Sequence, residues 1–202
     1  MDENIGTAIE RIELSREKFY EIETQVRLQE HFRRYAAVRR FIYGRVLDFA
    51  SGCGYGTYLL SKSPEITEVI GVDKDEQSIA WAKNEYEDGK CRFQCQDVRQ
   101  VEGPFDTLVS LETIEHFSDD SIYHELIEKF RFGQIILSYP NKKSTHFNPY
   151  HLRDLHKQDV CSSLKGYVLL HAFPMGDVDC LVMIRAPEAM PHHLYDNLVD
   201  FR

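Results

Sequence analysis

The chain has 202 residues, of which 43% are hydrophobic and 28% are charged, and its formal net charge is -9. These values are typical of a globular domain, and the negative charge disfavours a nucleic-acid partner, whose phosphates normally require clustered basic residues. No apolar run reaches the roughly 18 residues that a membrane span needs, and the charged N-terminus shows no signal-peptide pattern. The five cysteines form no C-x-x-C pair, which indicates reduced thiols and predicts a cytoplasmic protein.

The N-terminal region has the periodicity of an amphipathic helix. Over residues 7–43, apolar side chains recur at spacings dominated by three, four and seven positions. We expect one helix, or two with a bend, ended by Gly44. The expected organisation is an N-terminal helical cap over residues 1–43, a core over 44–187 and a C-terminal tail over 188–202.

A short apolar strand, residues 46–50, leads into three glycines at alternate positions, and a helical pattern follows at once. Strand, glycine turn and helix form the opening of a nucleotide site in a doubly wound α/β sheet. Glycine permits a close approach of the ligand, and the helix start offers N–H groups. A G-x-G-x-x-G dinucleotide fingerprint would need glycine at Thr57, so an NAD-dependent dehydrogenase is disfavoured. Asp48 suits a cationic ammonium group better than a pyrophosphate.

The segment D-F-A-S-G-C-G-Y-G resembles motif I of the class I S-adenosylmethionine-dependent methyltransferases. The resemblance implies a Rossmann-like, doubly wound sheet of seven strands, mostly parallel with an antiparallel last strand. It also implies S-adenosyl-L-methionine as the cofactor, with its amino-acid end at this turn. The cofactor-binding residues expected here are Asp48, Ala50, Gly52, Gly54, Tyr55 and Gly56.

Acidic residues follow the second and third predicted strands. A strand over residues 67–72 ends at Asp73, and a strand over 91–96 ends at Asp97, while Asp75 is the expected cap of the intervening helix. A carboxylate after the second strand can accept hydrogen bonds from both ribose hydroxyls. The alternatives are that Asp73 is a helix cap and Asp97 a plain loop acid.

The resemblance completes the predicted cofactor site. It implies that Asp97 contacts the adenine amine, with the backbone amide of Val98 beside it. Residues 30–35 resemble an E-H-x-x-R-Y stretch of bacterial sugar- and glycan-pathway methyltransferases, in which such a helix caps the cofactor. Arg34 or Tyr35 would then meet the methionine carboxylate, the alternative being a surface arginine and a core-facing tyrosine. The remaining cofactor-binding residues of the prediction are Lys74 and Leu111.

The second half of the chain continues the alternation of strands and helices. Ser118 is the expected cap of the first helix of this half, which should run to about Phe130 and be broken by Gly133. The last two strands should form a terminal hairpin. We expect strands over 105–111, 134–139, 167–173 and 180–185, and a second helix over 152–164.

The predicted chemistry of the acceptor depends on the sequence E-T-I-E-H, directly after the fourth strand. Because the sulfonium methyl is already activated, the enzyme mainly aligns a nucleophile, and His116 is the natural general base, with Glu112 as the second catalytic residue. In another interpretation Glu112, Glu115 and His116 share a helical face and hold a divalent metal ion, completed by His151 or His146. In a third interpretation the cluster is purely structural.

The E-x-x-E-H pattern is similar to that of small-RNA 2′-O-methyltransferases and ubiquinone-pathway O-methyltransferases, where it is linked to a metal. The leading hypothesis is O-methylation of a small hydroxylated acceptor, such as a sugar, glycan or related metabolite. One alternative is a 3′-terminal RNA 2′-O-methyltransferase, which the net charge disfavours. Another is a non-catalytic adenosylmethionine-binding subunit, which the acids at successive strand ends disfavour. The expected partner is a small-molecule acceptor, without a membrane, and the oligomeric state is left open.

Overall fold

The computed structural model describes residues 26–187, so the predicted cap before residue 26 and the predicted tail from residue 188 lie outside the described residues. The chain divides into two compact units, with the boundary between Glu102 and Gly103. The first contains α1 (Val26–Val38), β1 (Gly44–Phe49), α2 (Tyr55–Ser61), β2 (Ile66–Asp73), α3 (Glu76–Tyr86) and β3 (Cys91–Cys95). The second contains β4 (Thr107–Leu111), α4 (Ser121–Phe130), β5 (Gln134–Pro140), α5 (Lys157–Ser163), β6 (Tyr167–Met175) and β7 (Val178–Arg185).

The strands form a seven-stranded sheet in the order β3-β2-β1-β4-β5-β7-β6. In the first unit, β1 pairs parallel with β2, and β2 pairs parallel with β3. In the second unit, β4 and β5 are parallel, whereas β7 runs antiparallel to both β5 and β6. This confirms the predicted Rossmann-like sheet, with the last strand of the chain as its antiparallel member.

Apolar residues fill both faces of the central strands. Val46 and Leu47 in β1 are fully buried, as are Ile135, Ile136 and Leu137 in β5. Side chains of a strand alternate between faces, so consecutive buried residues show that the sheet is covered on both sides, as expected for parallel strands. Within residues 26–187, no helix has the length and apolar character needed to cross a bilayer.

Helix α1 ends earlier than its periodicity predicts. It stops at Val38, and the Phe41 N–H then donates to the Val38 carbonyl at 2.9 Å in a turn. Gly44 adopts a positive φ of 67° and begins β1, so it does not end the helix. The apolar residues between the two elements, including the fully buried Ile42, therefore belong to a packed turn.

The predicted cap of α4 is wrong, whereas that of α3 is confirmed. The Asp75 carboxylate accepts from the Ser78 N–H at 2.7 Å, as expected for an N-cap. Ser118 lies outside α4, which begins at Ser121 and has Asp120 at its N-cap position. The Asp120 carboxylate makes no capping hydrogen bond, because it accepts from Arg153 at 2.5 Å. The other end of α4 lies next to Arg131, which adopts a left-handed conformation with φ 50° two residues before Gly133.

The helix predicted over 152–164 is shorter, because α5 begins only at Lys157. The five residues that precede it have no regular secondary structure. These residues form hydrogen bonds with parts of the second unit that are distant in sequence. For example, the Leu152 N–H donates to the Glu115 carbonyl at 2.8 Å. Long-range hydrogen bonds thus override a local helical preference.

Candidate active site

The three glycines of the turn after β1 have different surroundings. A Cβ on Gly54, whose φ is +84°, would approach the Phe93 ring to 2.7 Å, and a Cβ on Gly56 would approach the Tyr35 ring to 2.2 Å. A Cβ on Gly52, whose φ is +52°, would meet nothing within 4 Å. The second and third glycines are therefore required by packing, whereas Gly52 faces open space in which a ligand could lie against the backbone.

This difference predicts opposite consequences for two alanine substitutions. Gly56→Ala should lower the free energy of unfolding by about 1–3 kcal/mol, because the added methyl overlaps the buried Tyr35 ring. Gly52→Ala should cost only about 1 kcal/mol of backbone strain but should weaken adenosylmethionine binding. Urea unfolding and titration calorimetry check both variants. A Gly52→Ala protein with unchanged affinity would show that this face is not used by the cofactor.

Asp48 lies beneath the turn. It is fully buried, and its Oδ2 accepts a hydrogen bond from the Thr57 hydroxyl at 2.6 Å. Thr57, which stands where a dinucleotide site has its third glycine, therefore positions this carboxyl group. The other oxygen, Oδ1, is buried with no hydrogen-bond partner in the described part of the chain. Oδ1 is the atom left for the predicted contact with an ammonium group.

Burial raises the pKa of Asp48 from an ordinary 3.8 to about 7, opposed by the Thr57 hydrogen bond and reinforced by Asp73. The folded protein then holds this proton more tightly than the unfolded chain, so ionisation destabilises the fold as the pH rises from about 4 to about 7. Asp48→Asn should therefore raise the melting temperature at about pH 8, with the gain vanishing towards pH 4. Asp88→Asn, at a surface ion pair with Lys62, is the control and should show no such trend. Thermal melts across this range measure the difference.

Asp73, at the end of β2, organises the same turn. Its Oδ2 accepts from the Gly52 N–H and its Oδ1 from the Asp75 N–H, both at 2.9 Å. The cap of α3 is Asp75, so the alternative in which Asp73 is only a helix cap is not what the structure shows. A carboxylate has about four acceptor sites, so two ribose hydroxyls can still be accommodated.

Asp97 follows β3 and is held by two cations. Its Oδ2 lies 2.7 Å from Lys74 Nζ and 3.2 Å from Arg99 Nη1, and Oδ1 accepts from the Arg99 N–H. The hydrogen bond from Lys74, followed by that from the Arg99 backbone, lowers the pKa of Asp97. Val98 is buried and begins the short 3-10 helix Val98–Gln100. The sequence analysis missed Arg99. If Asp97 contacts the adenine amine as predicted, its carboxylate would bind both that amine and Lys74.

The E-H-x-x-R-Y stretch lies on α1. Tyr35 is buried and meets Tyr55 edge to face, with ring centroids 5.7 Å apart. Arg34 is also buried, and its Nε donates to the Glu30 carbonyl at 3.4 Å. Tyr35 is therefore the core-facing tyrosine of the alternative interpretation, but Arg34 is not a surface arginine. Ala50, in the glycine turn after β1, has a positive φ of 62°.

In the second unit, Glu112 immediately follows the buried Leu111 at the end of β4 and has a positive φ of 52°. Its N–H donates to the Ser138 carbonyl at 3.0 Å, and its Oε1 accepts from the Ser138 hydroxyl at 3.1 Å. A left-handed conformation is uncommon for a residue with a side chain and clusters at functional sites. Two hydrogen bonds to Ser138 on β5 therefore hold the residue at which β4 ends and the loop begins.

Glu115, His116 and His151 come together in the same unit. One ligand atom from each lies within 4.8 Å of the others, and the two imidazole rings meet edge to face with centroids 4.9 Å apart. Glu115 is fully buried. Glu115 and His116 lie on the 3-10 helix Ile114–His116. The predicted Glu112 and His146 are not part of this cluster.

Hydrogen bonds orient both imidazoles of the cluster. His116 Nδ1 lies 3.1 Å from the Tyr150 carbonyl oxygen, and His151 Nδ1 lies 2.7 Å from the Ser144 hydroxyl. A carbonyl oxygen only accepts, so His116 Nδ1 carries the proton and Nε2 is the basic nitrogen. Such support of a histidine through its other nitrogen is typical of metal-ligating and catalytic imidazoles.

Two charged residues missed by the sequence analysis hold the segment that carries His151. The Arg153 guanidinium donates to the carbonyls of Phe117 at 2.8 Å and Ile114 at 3.1 Å. The Asp154 carboxylate accepts from the N–H groups of Ser144 and Thr145, and the bond from Ser144 is the main cause that lowers its pKa. Their only sequence signal was their position beside His151.

Comparisons with known proteins agree with this fold. Residues 46–131 match the family described as a methyltransferase domain. The chain is similar to magnesium protoporphyrin IX methyltransferase from Synechocystis PCC 6803 with bound SAH, with a TM-score of 0.65, 19% identity and coverage of 79% of this chain and 84% of that chain. It is also similar to N-methyltransferase NodS from Bradyrhizobium japonicum WM9 in complex with SAH, with a TM-score of 0.65, 14% identity and coverage of 87% and 95%.

A third similar structure is the methyltransferase domain of bacterial CtHen1, with a TM-score of 0.58, 19% identity and coverage of 79% of this chain and all of that chain (100%). No curated protein sequence matches the chain. The structural likenesses show a shared fold, and the family match covers the turn after β1, the acids after β2 and β3, and the E-T-I-E-H segment. Residues 46–131 thus match a methyltransferase domain, and the chain has the fold of S-adenosylmethionine-dependent methyltransferases.

Proposed function

We propose that the chain transfers the methyl group of S-adenosyl-L-methionine to a hydroxyl oxygen of a small acceptor, such as a sugar, glycan or related metabolite. The observation that carries this proposal is the cluster of Glu115, His116 and His151. A hydroxyl is a poor nucleophile until its pKa is lowered, and a carboxylate with two oriented imidazoles can hold an ion that lowers it. The similar structures include a porphyrin methyltransferase and an N-methyltransferase, so the acceptor has to be argued from the cluster.

The residues of the first unit suit the cofactor. Gly52 offers an open backbone face, and Asp73 keeps acceptor capacity for the ribose hydroxyls. Two oxygens at the turn, Asp48 Oδ1 and Ser51 Oγ, are buried without a hydrogen-bond partner among the described residues. Buried polar atoms are normally satisfied, so these oxygens favour a polar ligand group at the turn. We assign Asp73 to the ribose, the turn to the amino-acid end and Asp97 to the adenine.

The cluster of the second unit fits a divalent ion. One carboxylate and two imidazoles are a ligand set that catalytic metal sites use, with a further position left for substrate. Glu115 is fully buried, and a bound cation would stabilise the charged form of its carboxyl group. A divalent ion held by Glu115, His116 and His151 would supply that positive charge.

When bound, such an ion would lower the pKa of the acceptor hydroxyl. The residues of the chain would hold the ion and orient its ligands. Glu115 would provide the negative charge. The Tyr150 carbonyl orients the His116 ring, and the Ser144 hydroxyl orients the His151 ring. In this proposal Glu112 does not bind the ion. Its carboxylate accepts a hydrogen bond from Ser138 and stabilises the loop after β4.

Transfer of a labelled methyl group from adenosylmethionine tests the acceptor. Free sugars, alkyl glycosides and short RNAs with a 3′-terminal hydroxyl should be compared at equal concentration. We expect label in the sugars or glycosides, in a linkage that resists mild alkali as an ether does. Transfer to RNA alone would replace this proposal by the nucleic-acid alternative, and an alkali-labile product would indicate methylation of a carboxyl group instead.

A further inference from the structure

We propose that the acceptor is amphipathic: its hydroxylated head group lies at the Glu115, His116 and His151 cluster, and an attached apolar chain or ring contacts Phe147, Tyr150 and Leu152. These three residues are named the apolar rim. The inference rests on the proposed function, since it concerns the substrate class of that same site.

The apolar rim is exposed to an extent that is uncommon for such large side chains. Phe147 is 88% exposed, Leu152 is 56% exposed and Tyr150 is 40% exposed. They fall within six consecutive positions of the second unit, between β5 and α5. A single exposed apolar residue needs no explanation, but a group of them on one segment marks a surface that binds something.

Backbone hydrogen bonds join Tyr150 and Leu152 to the cluster, and Phe147 is linked to it indirectly through Ser144. The Tyr150 carbonyl lies 3.1 Å from His116 Nδ1, and the Leu152 N–H donates to the Glu115 carbonyl at 2.8 Å. The Phe147 N–H donates to the Ser144 carbonyl at 2.9 Å, and the Ser144 hydroxyl contacts His151. The segment that carries the rim is thus hydrogen-bonded to the cluster, so the rim residues are its neighbours along the chain and in the fold.

The segment is also held in place before any ligand binds. Arg153 donates to the carbonyls of Ile114 and Phe117, and Asp154 accepts from two N–H groups at the start of the segment. Ordering an apolar surface in advance reduces the entropy lost on binding. The energetic cost of exposing the rim in water is thus recovered when a ligand covers it.

The composition of the rim favours a hydrocarbon group over a sugar ring alone. Aromatic faces can stack on a pyranose, but Leu152 has no such face and contributes only apolar area. One aliphatic and two aromatic residues together suit an alkyl chain or a second, apolar ring. Leu170 on β6 is exposed to a similar extent, 57%, but no hydrogen bond from its backbone to the cluster is recorded in the described residues. It is the matched control.

Calorimetric titration of the chain with Mn²⁺ and S-adenosylhomocysteine present tests the inference. The probes are n-octyl β-D-glucoside, below its micellar concentration, and methyl β-D-glucoside, which share a head group. The octyl glycoside should bind at least about tenfold more tightly, because its chain leaves water at the rim. Phe147→Ala combined with Leu152→Ala should reduce this preference to about twofold or less, whereas Leu170→Ala should leave it unchanged.

Equal binding of the two glycosides, binding of neither, or a preference that survives the double rim variant overturns the inference. Phe147→Leu should keep the preference, and its loss would indicate stacking on the sugar in place of an apolar contact. Rim-dependent sedimentation with phosphatidylglycerol vesicles, without a preference between the glycosides, would assign the rim to a membrane surface. If the preference holds but no hydroxyl is ever methylated, the proposed function fails and the rim assignment remains.

Discussion

Asp73→Ala is expected to weaken the binding of adenosylmethionine by at least about a hundredfold, because hydrogen bonds to a charged group contribute about 1.5–3 kcal/mol each. The carboxylate has two tasks. It would accept the ribose hydroxyls, and it already accepts from the Gly52 and Asp75 N–H groups at 2.9 Å. Alanine removes both the ligand contact and the support of the turn. Titration calorimetry with adenosylmethionine and adenosylhomocysteine measures the loss.

Asp73→Asn separates the two tasks. Its amide oxygen can still accept one N–H, but the charge and one acceptor are lost, so we expect an affinity between those of the native chain and the alanine variant. Asp88→Ala, at the surface ion pair with Lys62, controls for the removal of a carboxylate. Native affinity in Asp73→Ala would contradict the assignment of Asp73 to the ribose.

Glu115→Gln should abolish the binding of Mn²⁺ at the cluster and reduce the rate of methyl transfer by about a hundredfold or more, since a bound ion contributes several kcal/mol. The substitution keeps the shape of the buried side chain but removes its charge. The variant should remain folded, because a neutral group is less costly to bury than a carboxylate. Addition of Mn²⁺ should raise the melting temperature of the native chain and leave that of Glu115→Gln unchanged.

Glu112→Gln is the matched control for that experiment. Glu112 belongs to the same E-T-I-E-H segment, but its carboxylate contacts Ser138 and is not in the cluster. Its amide counterpart should bind Mn²⁺ as the native chain does. If Glu112→Gln lost ion binding while Glu115→Gln kept it, Glu112 would be a ligand of the ion, as helical spacing predicts, and Glu115 would not.

The positions of the glycine turn and of the acids at the strand ends could be predicted from sequence because their determinants are local. A strand, a glycine turn and an acid at the next strand end follow one another within about thirty positions, and parallel strands align their carboxyl ends. Asp73 and Asp75 were therefore placed correctly from the chain order alone. The same reasoning could not show that Thr57 holds Asp48, because that contact depends on the packing of α2 over β1.

The arrangement around Glu115, His116 and His151 was harder to predict because long-range contacts decide it. The segment before α5 has a helical pattern, yet Arg153 and Asp154 hold it in an irregular path through bonds to residues nine to thirty-nine positions away. That path brings His151 to Glu115 and His116. Helical spacing alone had grouped Glu112 with Glu115, but the segment forms one short 3-10 turn after a left-handed residue, which directs Glu112 to Ser138.

The most direct test of the account is methyl transfer before and after removal of divalent ions. The native chain should transfer label from adenosylmethionine to a hydroxylated acceptor, lose that activity in excess chelator while still binding adenosylmethionine, and recover it when Mn²⁺ is restored. Full turnover in excess chelator would contradict the role assigned to the cluster of Glu115, His116 and His151.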